Sequence, residues 1–441
     1  MGRKRKGSEL FVFMNGEKVG ILSSTSSGRL ELHYDAAWLN SKSGRALSLS
    51  MPLTDQVYSG DSVENYFDNL LPDSQPIRNR IQKRFGAKSN RGFDLLWHVG
   101  RDCVGALQLS PEDIQIDVQK IESEPLTNAA IAETLRHYRT MPLGMREDKD
   151  FRISLAGAQE KTAFLKHQGE WRLPLGATPT SHIFKLPIGR IGHSGVDLSD
   201  SVENEWLCHL ILKAYNIPVA NTEMMSFNGT KTLVVERFDR RWSIDESWLI
   251  RLPQEDMCQA LNTPPALKYE SDGGPGIEQI MELLLGATDS LADRRLFMTA
   301  NLVFWLLAAI DGHSKNFSIF LLSGGGFQLT PLYDVISGYP LITKKQLEQS
   351  RLKMAMALTG KNRYYDWNAM LHRHWLSTAK KCHFPVDEIE EIIAEVLDRL
   401  DRVIDQVSNQ LPETFPDAVA GPIFSGMRNA RDKLTRSFSQ E

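Results

Sequence analysis

The chain has 441 residues, 41% hydrophobic and 24% charged, an ordinary globular balance that excludes a disordered tail protein, a collagen or a disulfide-stapled miniprotein. At roughly 100–200 residues per domain, that length predicts two to four domains. Lys and Arg number 51 against 55 Asp and Glu, a net charge of −4, so the surface as a whole is not built to coat nucleic acid or anionic membrane.

In chain order, residues 1–8 form a basic tail with Arg3, Lys4, Arg5 and Lys6, read as a solvated end. Asn15-Gly16 lies between two strand-like runs in 9–22, a strong hairpin signal. Leu30, Leu32 and Tyr34 alternate as a third strand. Pro76, Ile77, Ile81 and Phe85, with Gly86 after them, predict a short helix. Residues 9–110 are therefore an α+β domain, and 111–147 a polar connector with one helix near 128–138. A second region, 148–255, is strand-rich at 151–154, 161–165, 183–186 and 233–235. A helix at 201–215 interrupts it, with Val202, Trp206, Leu210 and Ile211 as its apolar stripe. From 256 to 415 the chain reads as mostly helical. The clearest helix is 386–410, where Ile389, Ile392, Ile393, Val396, Leu397, Leu400, Val403, Ile404 and Val407 keep a 3.6-residue period. Residues 416–441 form a C-terminal tail carrying Arg428, Arg431, Lys433 and Arg436.

The longest central apolar stretch, Leu302 to Ile310, is too short to cross about 30 Å of hydrocarbon as a helix. No apolar segment follows the basic start, so no secretory signal is expected. Cys103, Cys208, Cys258 and Cys382 form no C-x-x-C and fit a reducing cytosol. His372 and His374 lie two apart and would not share a helix face, so no structural metal is expected. The expectation is a soluble, cytoplasmic protein with no membrane partner.

The chemistry concentrates in 311–337. Asp311 and Asn316 make a D-x-x-x-x-N. A strand at 317–322, a turn at 324–326 and a returning strand at 327–329 lead to Pro-Leu-Tyr-Asp, ending at Asp334. In phosphoryl transfer a carboxylate accepts the proton of the attacking hydroxyl, while an amide oxygen and a second carboxylate hold Mg²⁺. Asp311 suits the first role, Asn316 and Asp334 the second. His313 reads as an orienting or nucleotide-contacting side chain, since Asp311 already fills the place of a base.

A kinase also needs a lysine on a strand, a hinge and a phosphate turn upstream. Lys185 in H-I-F-K-L-P supplies the first, with Glu205 as a candidate partner. Glu236, Arg237 and Phe238 end a strand and supply the hinge. Residues 154–162, S-L-A-G-A-Q-E-K-T, supply a small-residue turn that is neither a Walker A nor a G-x-G-x-x-G. Asp272-Gly273-Gly274-Pro275-Gly276 is glycine-rich but follows no strand and reads as a mobile loop.

These segments resemble the HipA serine/threonine-protein kinase toxins of bacterial toxin–antitoxin modules. The resemblance rests on F-R-I-S-L-A-G-A-Q-E-K-T (151–162), H-I-F-K-L-P, V-E-R-F-D-R, D-G-H-S-K-N and P-L-Y-D-V-I-S. Y-F-D-N-L-L-P-D (66–73), G-R-D-C-V-G-A (100–106), Q-E-D-M-C-Q (254–259) and Y-E-S-D-G-G-P-G (269–276) extend it over about 9–415. It implies an α+β protein with a two-lobed kinase-like fold, a mostly helical C-terminal lobe and an added N-terminal domain. Asp311 would be the catalytic base, and Asn316 and Asp334 the Mg²⁺ ligands. Ala156, Gly157, Ala158, Gln159, Glu160 and Lys161 would form the phosphate loop. Lys185, the hinge, His313, Lys315 and Tyr333 would contact ATP. Ser154 would be an autophosphorylation site whose modification ejects the loop and inactivates the enzyme. The implied partner is a helix-turn-helix antitoxin of the HipB type, and the pair represses its own operator DNA. The implied substrate class is glutamyl-tRNA synthetase, whose phosphorylation stops translation and favours persistence. A basic contact to DNA at Lys380 and Lys381 would accompany the complex. The residues alone leave open a small-molecule kinase of the aminoglycoside type or a catalytically inactive co-repressor.

Overall fold

The computed structural model describes residues 9–114, 117–137, 155–156, 159, 161–191 and 195–438. They fall into two compact units. The first holds the described residues up to Leu186, then Met225–Ala266 and Ile319–Phe327; the second holds Pro187–Met224, Leu267–Ser318 and from Gln328 on.

In the first unit a five-stranded antiparallel sheet runs in the order Tyr58–Ser59, Leu30–Tyr34, Glu17–Ser24, Glu9–Met14, Leu107–Ser110. The Asn15-Gly16 turn forms as expected, with both residues at positive φ. Asn15 also docks: its Oδ1 accepts from Arg251 N at 2.9 Å and its Nδ2 donates to Arg251 O at 2.8 Å. The helix Gln75–Phe85 ends on Gly86 in the left-handed region. A second sheet runs Thr222–Phe227, Thr230–Glu236, His182–Lys185, Lys161–His167, Glu170–Pro174, Ser123–Pro125. The connector thus contributes an edge strand as well as its helix, Asn128–His137. The expected strand at 151–154 lies outside the described residues.

The sequence boundaries shift in three places. The helix Ser201–Ala214 belongs with the second unit, where Arg399 Nη2 donates to Ala214 O at 2.8 Å. Residues 256–266 belong with the first. There Gln259 Nε2 donates to Tyr66 O at 3.0 Å and Asn69 Nδ2 to Thr263 O at 2.9 Å, fastening Q-E-D-M-C-Q to the N-terminal domain. The segment set apart as a tail is a 22-residue helix, Asp417–Phe438, burying Val419, Ile423, Met427, Ala430 and Leu434.

The second unit is mostly helical. Val386–Ser408 buries the nine apolar positions of its predicted stripe. It also contains a hairpin the sequence did not signal, Lys353–Thr359 with Arg363–Asp366. All four cysteines are buried, and none of them forms a disulfide. Among the described residues no helix is long and apolar enough to cross a membrane.

Candidate active site

The helix Ser290–Leu306 begins where Asp289 Oδ1 accepts from Ala292 N at 3.1 Å. It ends before the apolar stretch does at Ile310, because Ala308 adopts a left-handed φ of +47°. The chain then turns outward and leaves Asp311 exposed. Gly312 follows because a Cβ there would meet Phe304 Cδ2 at 2.7 Å. The carbonyl of Asp311 accepts from His313 N at 2.8 Å and from Asn316 Nδ2 at 2.8 Å. The Asn316 amide is therefore fixed by its nitrogen end, which leaves Oδ1 as a hard oxygen acceptor. Tyr269 OH donates to Asp311 Oδ1 at 2.6 Å. His313 is buried, its ring edge-on to Tyr269 at 4.9 Å, and burial lowers its proton affinity, which keeps the imidazole neutral. A neutral ring suits the orienting role expected of it.

Asp334 is placed from both sides. Before it, Leu332 N donates to Pro218 O at 2.8 Å and Ala220 N to Leu332 O at 2.9 Å. After it, Ser337 N donates to Asn204 Oδ1 at 2.8 Å, and Asn204 Nδ2 returns a bond to Ser337 O at 2.8 Å. Ser337 Oγ donates to Leu307 O at 2.6 Å. Between these clamps Asp334 takes a φ of +63°, a conformation Asp tolerates better than most side chains. Tyr333 OH donates to the carbonyl of buried Lys315 at 2.8 Å and lies 2.5 Å from Ser318 Oγ, so it ties the hairpin to the Asp311 loop.

The described phosphate-loop, strand-lysine and hinge residues lie in the first unit, while Glu205, Lys380 and Lys381 lie in the second. Lys161 and Lys185 are direct partners in the antiparallel register of Lys161–His167 against His182–Lys185, and both are buried. Gln159 Nε2 donates to Leu186 O at 3.1 Å, and Ala156 is half-buried. Ser154, Gly157, Ala158 and Glu160 lie outside the described residues. Glu236 is exposed; half-buried Phe238 meets Phe320 edge-on at 5.9 Å.

Arg237 has structural partners of its own through its side chain. Its N–H donates to Ser181 O at 2.9 Å, and its guanidinium bonds Asp239, Thr180 and the Cys103 carbonyl. It belongs to a buried cluster of three arginines and two aspartates. Asp102 accepts from Arg240 Nη2 at 2.9 Å, Arg251 Nε at 3.2 Å and Arg237 Nη1 at 3.4 Å, and from Thr180 Oγ1 at 2.7 Å. Burial alone would raise its pKa, but the three guanidiniums outweigh it and hold the carboxyl well below the usual range. Asp239 accepts from Gly105 N at 2.7 Å. V-E-R-F-D-R is thus bolted to G-R-D-C-V-G-A, a coupling that linear motifs do not reveal.

Residues 269–276 are a packed strap rather than a mobile loop. Glu270 Oε2 accepts from Ala357 N at 2.7 Å and Oε1 from Arg363 Nη1 at 2.9 Å, which ties the strap to the hairpin 353–366. A Cβ on Gly274 would meet Leu267 O at 1.7 Å, and one on Gly276 would meet Glu270 Cδ at 2.1 Å. The glycines serve close packing, which sequence reading mistook for looseness.

Comparison with known proteins matches residues 10–110 to the HipA N-terminal domain and residues 153–404 to the HipA-like C-terminal domain. The chain belongs to the HipA family. Y4mE of Sinorhizobium fredii is 31% identical over 434 residues, covering 97% of this chain and 98% of that protein. The serine/threonine-protein kinase toxin HipA of Shewanella oneidensis is 26% identical over 331 residues, 72% of each chain. The solved Shewanella oneidensis toxin–antitoxin complex of HipA, HipB and operator DNA superposes with a TM-score of 0.79 at 22% identity, covering 98% of this chain and 97% of that one. The α+β, kinase-like HipA fold expected from the sequence is therefore the fold of this chain.

Proposed function

We propose that this chain is an ATP-dependent serine/threonine protein kinase acting as the toxin of a toxin–antitoxin pair. The observation that carries the reading is the loop 311–316, where one carbonyl pins Asn316 and leaves the Asp311 carboxylate at the surface. Asp311 accepts the proton of a Ser or Thr hydroxyl, whose oxygen bonds to the γ-phosphorus while the bridging bond to ADP breaks. The Asn316 oxygen and the Asp334 carboxylate are the hard donors Mg²⁺ takes beside phosphate oxygens. When bound, Mg²⁺ neutralises triphosphate charge. Lys161 and Lys185, directly opposite on adjacent strands, place two ammonium groups on one face of the sheet and suit a polyanion such as ATP phosphate. Glu236 and Phe238 serve the adenine end, with His313 and Lys315 as further nucleotide contacts.

The family relationship supports the finer expectations. The partner is a HipB-like helix-turn-helix antitoxin, and operator DNA is bound through that complex. Lys380 and Lys381, on the last turn of His372–Lys381, are exposed and suit phosphate contact there. The protein substrate is glutamyl-tRNA synthetase, and Ser154 is the site of self-inactivation.

Dephosphorylated protein incubated with radiolabelled ATP and Mg²⁺, alone, with glutamyl-tRNA synthetase and with bacterial lysate, tests the reading. Label is expected on Ser or Thr, Ser154 included. No label in any of the three mixtures removes it.

A further inference from the structure

The strap at 269–276 ends against the Asp311 loop, and that contact has a chemical consequence. Lys268 O accepts from Ser314 Oγ at 2.8 Å, which seats the strap on the loop. Glu270, one residue past Tyr269, is buried and anchored by Ala357 and Arg363. Tyr269 is therefore fixed on both sides. Its ring stands edge-on to His313 at 4.9 Å, and its hydroxyl donates to Asp311 Oδ1 at 2.6 Å.

We propose that Tyr269 is a positioning residue for Asp311. The inference rests on the kinase reading, in which Asp311 receives a proton. An exposed aspartate is otherwise free to exchange staggered rotamers. A donor on Oδ1 holds one of them and presents Oδ2 to the acceptor hydroxyl. In the transfer the substrate proton goes to Oδ2, the substrate oxygen bonds to phosphorus and the bond to ADP breaks. The Tyr269 proton stays on its phenol throughout. Glu270 ties the strap to the hairpin 353–366, so Y-E-S-D-G-G-P-G serves geometry rather than phosphate binding.

Tyr269→Phe keeps the ring against His313 and deletes only the hydroxyl. A hydrogen bond to a charged group is strong enough that its loss costs about tenfold in rate or more. The expected result is a tenfold drop in transfer from radiolabelled ATP at saturating MgATP, with KM for MgATP unchanged within about twofold. A purely structural ring would leave both constants alone. A second readout needs no activity: in protein labelled with 3-fluorotyrosine, the Tyr269 fluorine resonance, assigned by its loss in Tyr269→Phe, is expected to shift in Asp311→Ala. Full transfer in Tyr269→Phe, or a resonance indifferent to Asp311→Ala, overturns the role while the kinase reading stands. A wild-type chain that transfers nothing overturns the kinase reading, and the role with it.

Discussion

Asp102 is buried among Arg237, Arg240 and Arg251 and accepts hydrogen bonds from all three, whereas the side chain of Asp311 is exposed and, among the described residues, accepts one, from a neutral phenol. Both stand in a family motif near a glycine, Asp102 two residues after Gly100 and Asp311 directly before Gly312. Their surroundings separate them. A carboxylate ringed by cations stays charged and has no oxygen to spare, so it holds structure together. A carboxylate with one neutral partner keeps an oxygen open to an incoming proton, as the proposed base requires. The cost differs as well: burying five charges is tolerable only with each of them paired, while an exposed acid needs no such compensation.

The sharpest way to break this contrast is Asp311→Asn. It is expected to cut phosphoryl transfer by about 10²–10⁴, the usual worth of a general base. The thermal midpoint should barely move, since surface changes stay within about 0.5 kcal/mol. Calorimetry alongside the labelling assay reads both. Asp102→Asn should do the reverse. Removing one partner of a buried ion pair costs about 3–5 kcal/mol, so urea unfolding should shift to much lower midpoints. An Asp102→Asn protein as stable as wild type would dissolve the distinction.

Two smaller effects refine it. Asp334→Ala and Asn316→Ala should weaken ATP binding about tenfold, a loss of about 1.4 kcal/mol, but only with Mg²⁺ present. Titration calorimetry with and without the metal decides; equal losses in both remove the ligand assignment. Glu255 offers a third kind of acid, buried with no cation beside it among the described residues. Its Oε1 accepts from Leu49 N at 2.8 Å, and burial pushes its pKa up to about 8. The folded chain therefore holds a proton that the unfolded chain releases above its ordinary value near 4.5. That contribution is complete below the unfolded value and disappears as pH rises through about 8. Glu255→Gln should flatten stability against pH over this interval by at most about 1.4 kcal/mol per pH unit. Parallel curves for the two proteins would exclude the titration.

Elements driven by local pattern were legible in the sequence. Asn15-Gly16, the Pro76-to-Gly86 helix and the nine-position stripe of Val386–Ser408 each carry their own signal. The helix Asp417–Phe438 was not, because its buried face mixes Gly426, Ala420 and Ala430 with larger residues and holds Pro422. The hairpin at 353–366 escaped for a similar reason: Ala355 and Ala357 dilute its alternation. In the proposed site, Asp311, Asn316 and Asp334 stand out in the sequence because their spacing is itself the signal. The structural role of the Arg237 side chain was not legible because its partner Asp102 lies 135 residues away. Tyr269 was passed over because glycines beside it looked like slack, when they admit Leu267 O and Glu270.

The chain passes between the two units five times, after Leu186, Met224, Ala266, Ser318 and Phe327. Neither unit is a continuous stretch, so neither can be cut out as a gene fragment. The same layout bears on synthesis. The first unit lacks its final strands until residue 327 leaves the ribosome, 141 residues (327 − 186) after its long opening segment ends. At about 5–20 residues per second that is a wait of roughly 7–28 s. Asp334 emerges later still. A nascent chain therefore carries neither a finished first unit nor a complete set of the proposed site residues until about three quarters of the protein has been made.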